Sequence, residues 1–262
     1  MPEAMPLILF LALFALLLFG FPVAFTLGGV SFILGYLTFG MSFFNLLPLR
    51  IWGVMTNYVL IAVPLFVYMG VMLEKSGLAE ELLETMALLF GRMRGGLAIS
   101  VVVVGAMLGA STGIVGATVV TMGLLSLPTM LKRGYSPELS TGTISAAGTL
   151  GQIIPPSIVL VLLGSILNVS IGDMFVGAVI PGIILVFLYL VWIAIIAVVK
   201  PEWAPSMPRE ELESFRGKAM MSRVIQAFVL PFALILSVLG SIFAGIASPT
   251  EAAAVGAFGA TI

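Results

Sequence analysis

The sequence predicts an all-α polytopic membrane protein, and three observations lead to that fold class. Hydrophobic residues make up 61% of the 262 residues and charged residues only 9%, which is roughly a third of their share in soluble domains. Charges separate apolar stretches long enough to cross a bilayer, for which roughly 20 residues are needed. Gly and Pro interrupt several of these stretches, which predicts broken helices.

Composition also excludes several classes of function. The 11 Lys and Arg residues nearly balance the 12 Asp and Glu residues, so no basic surface for nucleic acid is expected. The chain has no Cys and no His, which removes disulfides, thiol chemistry and the commonest general base and metal ligand. The first apolar stretch has Glu3 as its only charge, so it is predicted to be a retained membrane segment and not a cleaved signal peptide.

The first long apolar stretch is predicted to form two short helices. Residues 5–39 carry no charge, and Gly20 and Pro22 interrupt them. We expect helices at about 5–20 and 22–39, because Gly and Pro are the strongest local breakers of a helix. One long tilted helix is the alternative.

A third span and a surface helix follow. Residues 56–73 are apolar, with a kink expected at Pro64. Residues 77–93 are amphipathic, which predicts a helix that lies along the membrane interface or against a partner and does not cross. Its apolar face is predicted to consist of Leu78, Leu82, Met86, Leu89 and Phe90, with Glu80, Glu81 and Glu84 away from it.

The stretch 95–131 is predicted to be a re-entrant helical hairpin. It is uncharged and too long for one helix, and small residues fill its middle at Ser111–Gly116. Basic residues lie at both ends, up to Arg94 on one side and from Lys132 on the other. Because positive charge marks the cytoplasmic side, both ends lie there, and the hairpin covers about 97–131.

Residues 137–168 are predicted to cross the membrane as a broken helix. Ser136 is a favourable N-cap, and Pro137 suits the first helical position. Pro155 and Pro156 remove two backbone donors and disfavour helix at the residue before each. The helix is therefore expected to unwind near the middle of the bilayer.

The remaining spans follow from the alternation of charged loops. Residues 174–199 and 224–247 are predicted to cross, and the loop 200–223 between them is rich in Lys and Arg, which indicates the cytoplasm. Arg50 is the single basic residue that this topology places outside. Ser248 to Glu251 has the pattern of a capping box, which predicts the start of another helix.

The hairpin tip and the Pro-Pro break together predict a site for a ligand. Unwound backbone at membrane depth is tolerated only where it is buried or lines a cavity, and freed carbonyls and hydroxyls there bind Na⁺. No ionisable residue lies within either element, which favours sodium over a proton relay. The candidate oxygens belong to Ser111, Thr112, Gly113, Thr118, Ser145, Thr149 and Gly151.

Packing alone is the alternative explanation for the same residues. Small side chains let helices approach closely in membranes, and a Ser or Thr hydroxyl commonly bonds to its own helix. The glycines concerned are Gly105, Gly109, Gly113, Gly142 and Gly148.

Four motifs follow one another along the chain. They are Gly109-Ala110-Ser111-Thr112-Gly113, Ser136-Pro137-Glu138, the run from Gly148 to Ser157, and the run from Ala247 to Ala254. In this order they resemble the large membrane subunit (DctM type) of TRAP, or tripartite ATP-independent periplasmic, transporters, and the resemblance covers the whole chain.

The resemblance implies sodium-driven uptake across the cytoplasmic (inner) membrane of a bacterium or archaeon. It implies a small organic acid such as a C4-dicarboxylate or sialic acid as substrate, and Na⁺ as coupling ion with no other cofactor. The implied partners are a periplasmic substrate-binding protein, a small four-helix membrane subunit and the lipid bilayer.

The resemblance also implies an elevator, in which a transport domain slides against a scaffold. Its implied divisions are 1–76 for scaffold helices, 77–93 for an arm helix, 94–168 for half a transport domain, 169–247 for further scaffold helices, and 248–262 for the start of a second, inverted repeat. The rest of that repeat is expected to lie in a missing part of the chain or in a companion chain.

The resemblance implies a site made of the hairpin tip and the break. Sodium ligands are expected at Ser111, Thr112, Gly113, Thr149 and Gly151. The wider sodium and substrate site adds Gly116, Thr118, Ser145, Gly148, Pro155, Pro156 and Ser157.

Two other functions compete with this one. A sodium/anion symporter or antiporter with the same hairpin would work without a binding protein. An intramembrane serine hydrolase would use Ser111, but such a nucleophile needs a base, and the chain has no His. No catalytic residue is therefore predicted, and the protein is expected not to be an enzyme.

Overall fold

The computed structural model describes residues 5–208 and 218–262, and this part of the chain is helical with no β-strand. Glu3 and residues 209–217 of the predicted cytoplasmic loop lie outside the described residues. Short 3₁₀ turns occur at Tyr58–Ile61, Leu150–Gln152 and Pro201–Trp203. The α-helices are α1 (Met5–Leu18), α2 (Val23–Phe39), α3 (Ser42–Met55), α4 (Ala62–Lys75), α5 (Leu78–Phe90), α6 (Gly96–Thr112), α7 (Val115–Lys132), α8 (Pro137–Thr149), α9 (Ile158–Leu167), α10 (Ile171–Val199), α11 (Lys218–Phe243) and α12 (Pro249–Gly259).

Length and apolar composition identify helices that could cross a membrane. Among the described residues, three stretches are long and apolar enough to cross one, and several shorter apolar helices accompany them. The three stretches are Tyr58–Lys75, Val115–Lys132 and Ile171–Val199. The prediction of an all-helical fold is therefore confirmed for the described residues, and these helices are consistent with a polytopic membrane protein.

Helices α1, α2 and α3 form one compact unit, up to Asn57. The chain turns between α1 and α2 at Gly20, which has a φ of +84°, so two helices are present and the single long helix is wrong. Helix α3 was not predicted, because Pro48 and Arg50 interrupt its apolar pattern. It packs on α2 through aromatic rings, with the ring centroids of Phe32 and Phe43 6.3 Å apart.

The second unit runs from Tyr58 to Ile262 and begins with a 3₁₀ turn that leads into α4. Pro64 lies in the first turn of α4, where a missing N–H leaves no helical hydrogen bond unmade. The predicted mid-span kink is therefore replaced by a change from 3₁₀ to α-helix. Two apolar clusters form the interior of this unit, one centred on α5 to α8 and the other on α4 with residues of α9 to α12.

Helix α5 is amphipathic as predicted, and its apolar face packs on α6 and α11 of the same chain. Leu82 and Met86 are buried, whereas Glu80 and Glu84 are exposed. Leu89 differs from the prediction, since 44% of it is exposed. The buried face instead includes Leu83 and two small side chains, Ala79 and Ala87.

Candidate ion and substrate site

Helices α6 and α7 form a hairpin whose two outer ends lie together. The backbone N–H of Leu97, at the start of α6, donates to Tyr135 Oη just beyond α7, at 3.2 Å. The tip is the connection at Gly113 and Ile114, and Gly113 has a φ of +61°, which favours glycine. The structure therefore has a helical hairpin over the predicted residues, and its re-entry into a bilayer stays a prediction.

A short segment after α10, residues 200–207, holds both ends of the hairpin through backbone hydrogen bonds, and we call it the strap. The carbonyl of Ala204 accepts from Gly95 N at 3.0 Å, just before α6. The carbonyl of Trp203 accepts from Ser136 N at 3.1 Å, just before α8. A third bond, from Met207 N to the carbonyl of Gly91, is 2.9 Å long.

The helix predicted to be broken is interrupted between α8 and α9. Ser136 caps α8, since its hydroxyl accepts from Leu139 N at 3.1 Å. After α8 the chain makes a 3₁₀ turn and then has no regular helix until α9, and the Pro155–Pro156 peptide bond is cis. Ser157 bridges the break, because its hydroxyl caps α9 and donates to the carbonyl of Gln152 at 2.7 Å.

The hairpin and the broken helix pack backbone against backbone. A Cβ atom on Gly109 would lie 2.6 Å from Gly151 N, and one on Gly105 would lie 2.7 Å from the Cβ of Ala147. The two contacts are four residues apart in each element. Small residues at this spacing let membrane helices approach closely. The packing explanation therefore holds for Gly105 and Gly109.

The hairpin tip lies against the start of α9, so several helix ends meet. A Cβ atom on Gly113 would lie 3.3 Å from Ile158 N, which brings the end of α6 and the starts of α7 and α9 together. Helix ends have free carbonyls and helix starts have free N–H groups. The first suit a cation and the second an anion, so this junction has groups for both.

Three of the predicted site hydroxyls bond to their own helix. Ser111 Oγ donates to the carbonyl of Leu108 at 2.8 Å, and Thr118 Oγ1 donates to that of Ile114 at 2.9 Å. Thr149 Oγ1 donates to Ala146 in the same way. A hydroxyl that donates a hydrogen bond keeps its lone pairs, which can accept another bond or bind a cation. These bonds therefore orient the oxygens and are compatible with ion binding.

Burial divides the predicted site residues into two groups. Gly116, Ser145 and Thr149 are exposed, and Thr149 thereby differs from the other four predicted sodium ligands. A Cβ atom on Gly148 would meet Val119 of α7, so Gly148 serves packing. The buried group contains Ser111, Thr112, Gly113, Thr118, Gly148, Gly151, Pro155, Pro156 and Ser157.

Helix α4 contacts the hairpin at two heights, and the sequence analysis missed both contacts. A Cβ atom on Gly70 would lie 2.5 Å from the Cα of Thr112, next to the tip. One turn further along α4, Glu74 Oε1 accepts a hydrogen bond of 2.5 Å from Thr121 Oγ1 of α7. The prediction considered only ionisable residues within the hairpin and the broken helix, and Glu74 reaches the hairpin from outside both.

Comparison with known families shows the family to which the chain belongs. The sequence model of the family described as "Tripartite ATP-independent periplasmic transporter, DctM component" matches residues 10–262. The chain belongs to the DctM family. The predicted resemblance is therefore confirmed.

Individual DctM relatives carry names with different substrates. The chain is 33% identical over 250 residues to the C4-dicarboxylate TRAP transporter large permease protein DctM of Vibrio cholerae, covering 95% of this chain and 53% of the relative. It is 32% identical over 251 residues to the ectoine TRAP transporter large permease protein TeaC of Halomonas elongata, covering 95% and 57%. It is 32% identical over 205 residues to the isethionate TRAP transporter permease protein DctMQ of Oleidesulfovibrio alaskensis, covering 77% and 31%.

Membership of the DctM family fixes the general nature of the protein. It belongs to a family of transporter permeases, and these relatives are named as permeases and not as enzymes. Because the family and these relatives are named for transport, the serine hydrolase alternative is wrong. The chain spans about half the length of the first two relatives.

Proposed function

We propose that this chain provides one half of the ion and substrate path of a sodium-coupled secondary transporter. The transporter imports a small organic acid across the inner membrane of a bacterium or archaeon. A periplasmic binding protein delivers the substrate, and a small four-helix subunit joins the large one. The hairpin and the broken helix together form the moving part of an elevator.

The observation that carries this proposal is the meeting of helix ends at Gly113 and Ile158. Carbonyls at the end of α6 supply ligands for Na⁺, and N–H groups at the start of α9 attract a carboxylate. The buried Ser111 and Thr112 hydroxyls lie in the same last turn of α6. Oxygen ligands without a carboxylate suit a weakly held monovalent cation better than a divalent one.

The close packing at Gly109 and Gly151 supports a shared motion of these two elements. Backbones without intervening side chains leave no gap into which one helix can shift alone. A sliding transport body needs such internal rigidity, since the ligands from both elements must keep their spacing during the movement.

Uptake by the complete complex in proteoliposomes tests this function. We expect C4-dicarboxylate or sialic acid uptake that requires an inward sodium gradient and the periplasmic binding protein. Uptake that proceeds equally with a proton gradient and no sodium would contradict sodium coupling. Uptake that is unchanged when the binding protein is omitted would instead support the binding-protein-independent symporter or antiporter.

A further inference from the structure

Glu74 is an ionisable residue in the last turn of α4, and it contacts the second arm of the hairpin. On α4 it follows Gly70 by one turn, about 6 Å along the axis, and Gly70 contacts the hairpin tip at Thr112. Glu74 and Thr121 are both half-buried.

The Glu74–Thr121 bond closes a ring of contacts that joins α4 to both arms of the hairpin. Gly70 packs on Thr112 at the end of α6, and the hydroxyls of Thr112 and Thr118 lie 2.8 Å apart. Thr118 and Thr121 are three positions apart on α7, so they share one face of that helix. Thr121 then donates to Glu74, and the ring returns along α4 to Gly70.

We infer that Glu74 is a positioning residue, which acts through Thr121 to hold the second arm of the hairpin against α4. It thereby fixes where Thr118, at the start of α7, lies relative to Thr112 at the end of α6. The inference rests on the proposed function, since it assigns ion binding to the tip. The hydrogen bond to Thr121, and not the negative charge of Glu74, holds the arm. An uncharged acceptor of the same shape therefore serves equally well.

Loss of this bond lowers ion affinity without removing an ion ligand. An α7 arm released from α4 spends part of its time with Thr118 away from the end of α6, which stays packed on the break. The apparent affinity then falls by the fraction of molecules in which the ligands are together. The expected change is about fivefold, which corresponds to the net worth of one hydrogen bond.

The sodium dependence of uptake by the complete complex, with its small subunit and binding protein, tests the inference. Glu74→Ala and Thr121→Val should each raise the half-saturating sodium concentration about fivefold, and the double variant should be no worse than either alone. Glu74→Gln and Thr121→Ser keep an acceptor and a donor, so both should behave as the parent. Glu81→Ala, on the exposed face of α5, is the matched control.

Cysteine labelling at the tip gives a second readout that does not depend on transport. The chain has no Cys, and a Cβ atom on the exposed Gly116 meets nothing within 4 Å, so Gly116→Cys is a single reporter. A water-soluble maleimide should label it faster in the Glu74→Ala and Thr121→Val backgrounds than in the parent or the Glu81→Ala background.

Several outcomes overturn the inference. Unchanged labelling with an unchanged sodium requirement does so, even if the variants unfold at lower temperature, because a purely structural contact behaves in that way. Glu74→Gln behaving like Glu74→Ala also does so, since the charge would then be the effective element. If Glu74→Ala does not assemble, the near-isosteric Thr121→Val decides alone. Parent uptake without sodium dependence would contradict the proposed function, and the labelling rates would still decide the role of Glu74.

Discussion

Gly109 of α6 and Gly151 beyond α8 lie so close that neither has room for a side chain. A Cβ atom on Gly109 would lie 2.6 Å from Gly151 N, and one on Gly151 would lie 2.7 Å from the Cα of Gly109. Because each obstacle is backbone, a rotamer change cannot relieve the clash. The hairpin and the break in the crossing helix are therefore fixed to one another at this point.

Gly109→Ala should destabilise the protein by about 1–3 kcal/mol, the usual cost of overpacking a close contact. Thermal unfolding in detergent measures the change. Gly142→Ala is the matched control, since its Cβ meets nothing within 4 Å and Ala is the better helix former by about 0.8–1.0 kcal/mol. Equal unfolding temperatures for the two variants would show that the close approach is absent.

Ser126→Ala should stabilise the protein. Within the described part of the chain, Ser126 Oγ is fully buried on α7 and has no hydrogen-bond partner. A buried polar group without a partner costs about 1–3 kcal/mol, and Ala removes it. Ser100→Ala is the control, because the equally buried Ser100 donates to the carbonyl of Gly96 at 2.8 Å. Unfolding temperature should rise only for Ser126→Ala, and a fall there would contradict the prediction.

Tyr135→Phe should loosen the base of the hairpin below pH 10. Its hydroxyl accepts from Leu97 N at 3.2 Å, and a buried N–H left without a partner costs about 1–3 kcal/mol. Burial is the main cause that raises the pKa of Tyr135 above its ordinary value of 10.0. The folded state therefore holds the phenol proton more tightly than the unfolded state, and the resulting stability is complete below pH 10 and is lost as the pH rises through the higher pKa.

Unfolding temperatures of the parent and Tyr135→Phe, measured from pH 8 upward, check this prediction. The parent should be the more stable below pH 10, and the difference should shrink at higher pH, because only the parent has this phenol to ionise. Parallel curves over the whole range would mean that the hydroxyl is not in the buried contact.

Ser248→Ala should cost about 1 kcal/mol by removing the cap of α12. The Ser248 hydroxyl accepts from Glu251 N at 3.4 Å, and Glu251 Oε2 accepts from Ser248 N at 2.7 Å. Ser237→Ala is the control, since that exposed hydroxyl bonds only within α11. Hydrogen exchange in the first turn of α12 should increase for Ser248→Ala alone, and equal exchange in both variants would contradict a capping role.

Ser111→Ala combined with Thr149→Ala should weaken sodium dependence more than it weakens folding. Ser111 is buried at the tip, whereas Thr149 is exposed, so most of the effect should come from Ser111. Sodium titration of uptake by both single variants and the double variant measures this. An unchanged sodium affinity in the double variant would assign both hydroxyls to packing.

Local patterns predicted most of the elements. Pro137 and Pro249 follow Ser136 and Ser248, and in both places the serine caps a helix that starts at the proline. The small residues before Gly113 and the prolines at 155–156 indicated two interruptions that the structure contains. Each of these signals is local, because a cap or a missing N–H acts within one helical turn.

No local sequence pattern indicated the contacts between different helices. Nothing near Glu74 in the sequence indicates Thr121, since the two residues come together only through the packing of α4 on the hairpin. The close approach at Gly109 was recognised as a possible packing contact, but its partner Gly151 was assigned to ion binding. Helix α3 was not predicted, because Pro48 and Arg50 interrupt its apolar sequence.

The strap between Lys200 and Met207 should tolerate substitutions and insertions very differently. Its hydrogen bonds to Gly91, Gly95 and Ser136 all join backbone atoms, so most substitutions leave them intact. An inserted or deleted residue would shift the register and misalign all three together. The length of this segment is therefore expected to be far more constrained than its amino-acid identities.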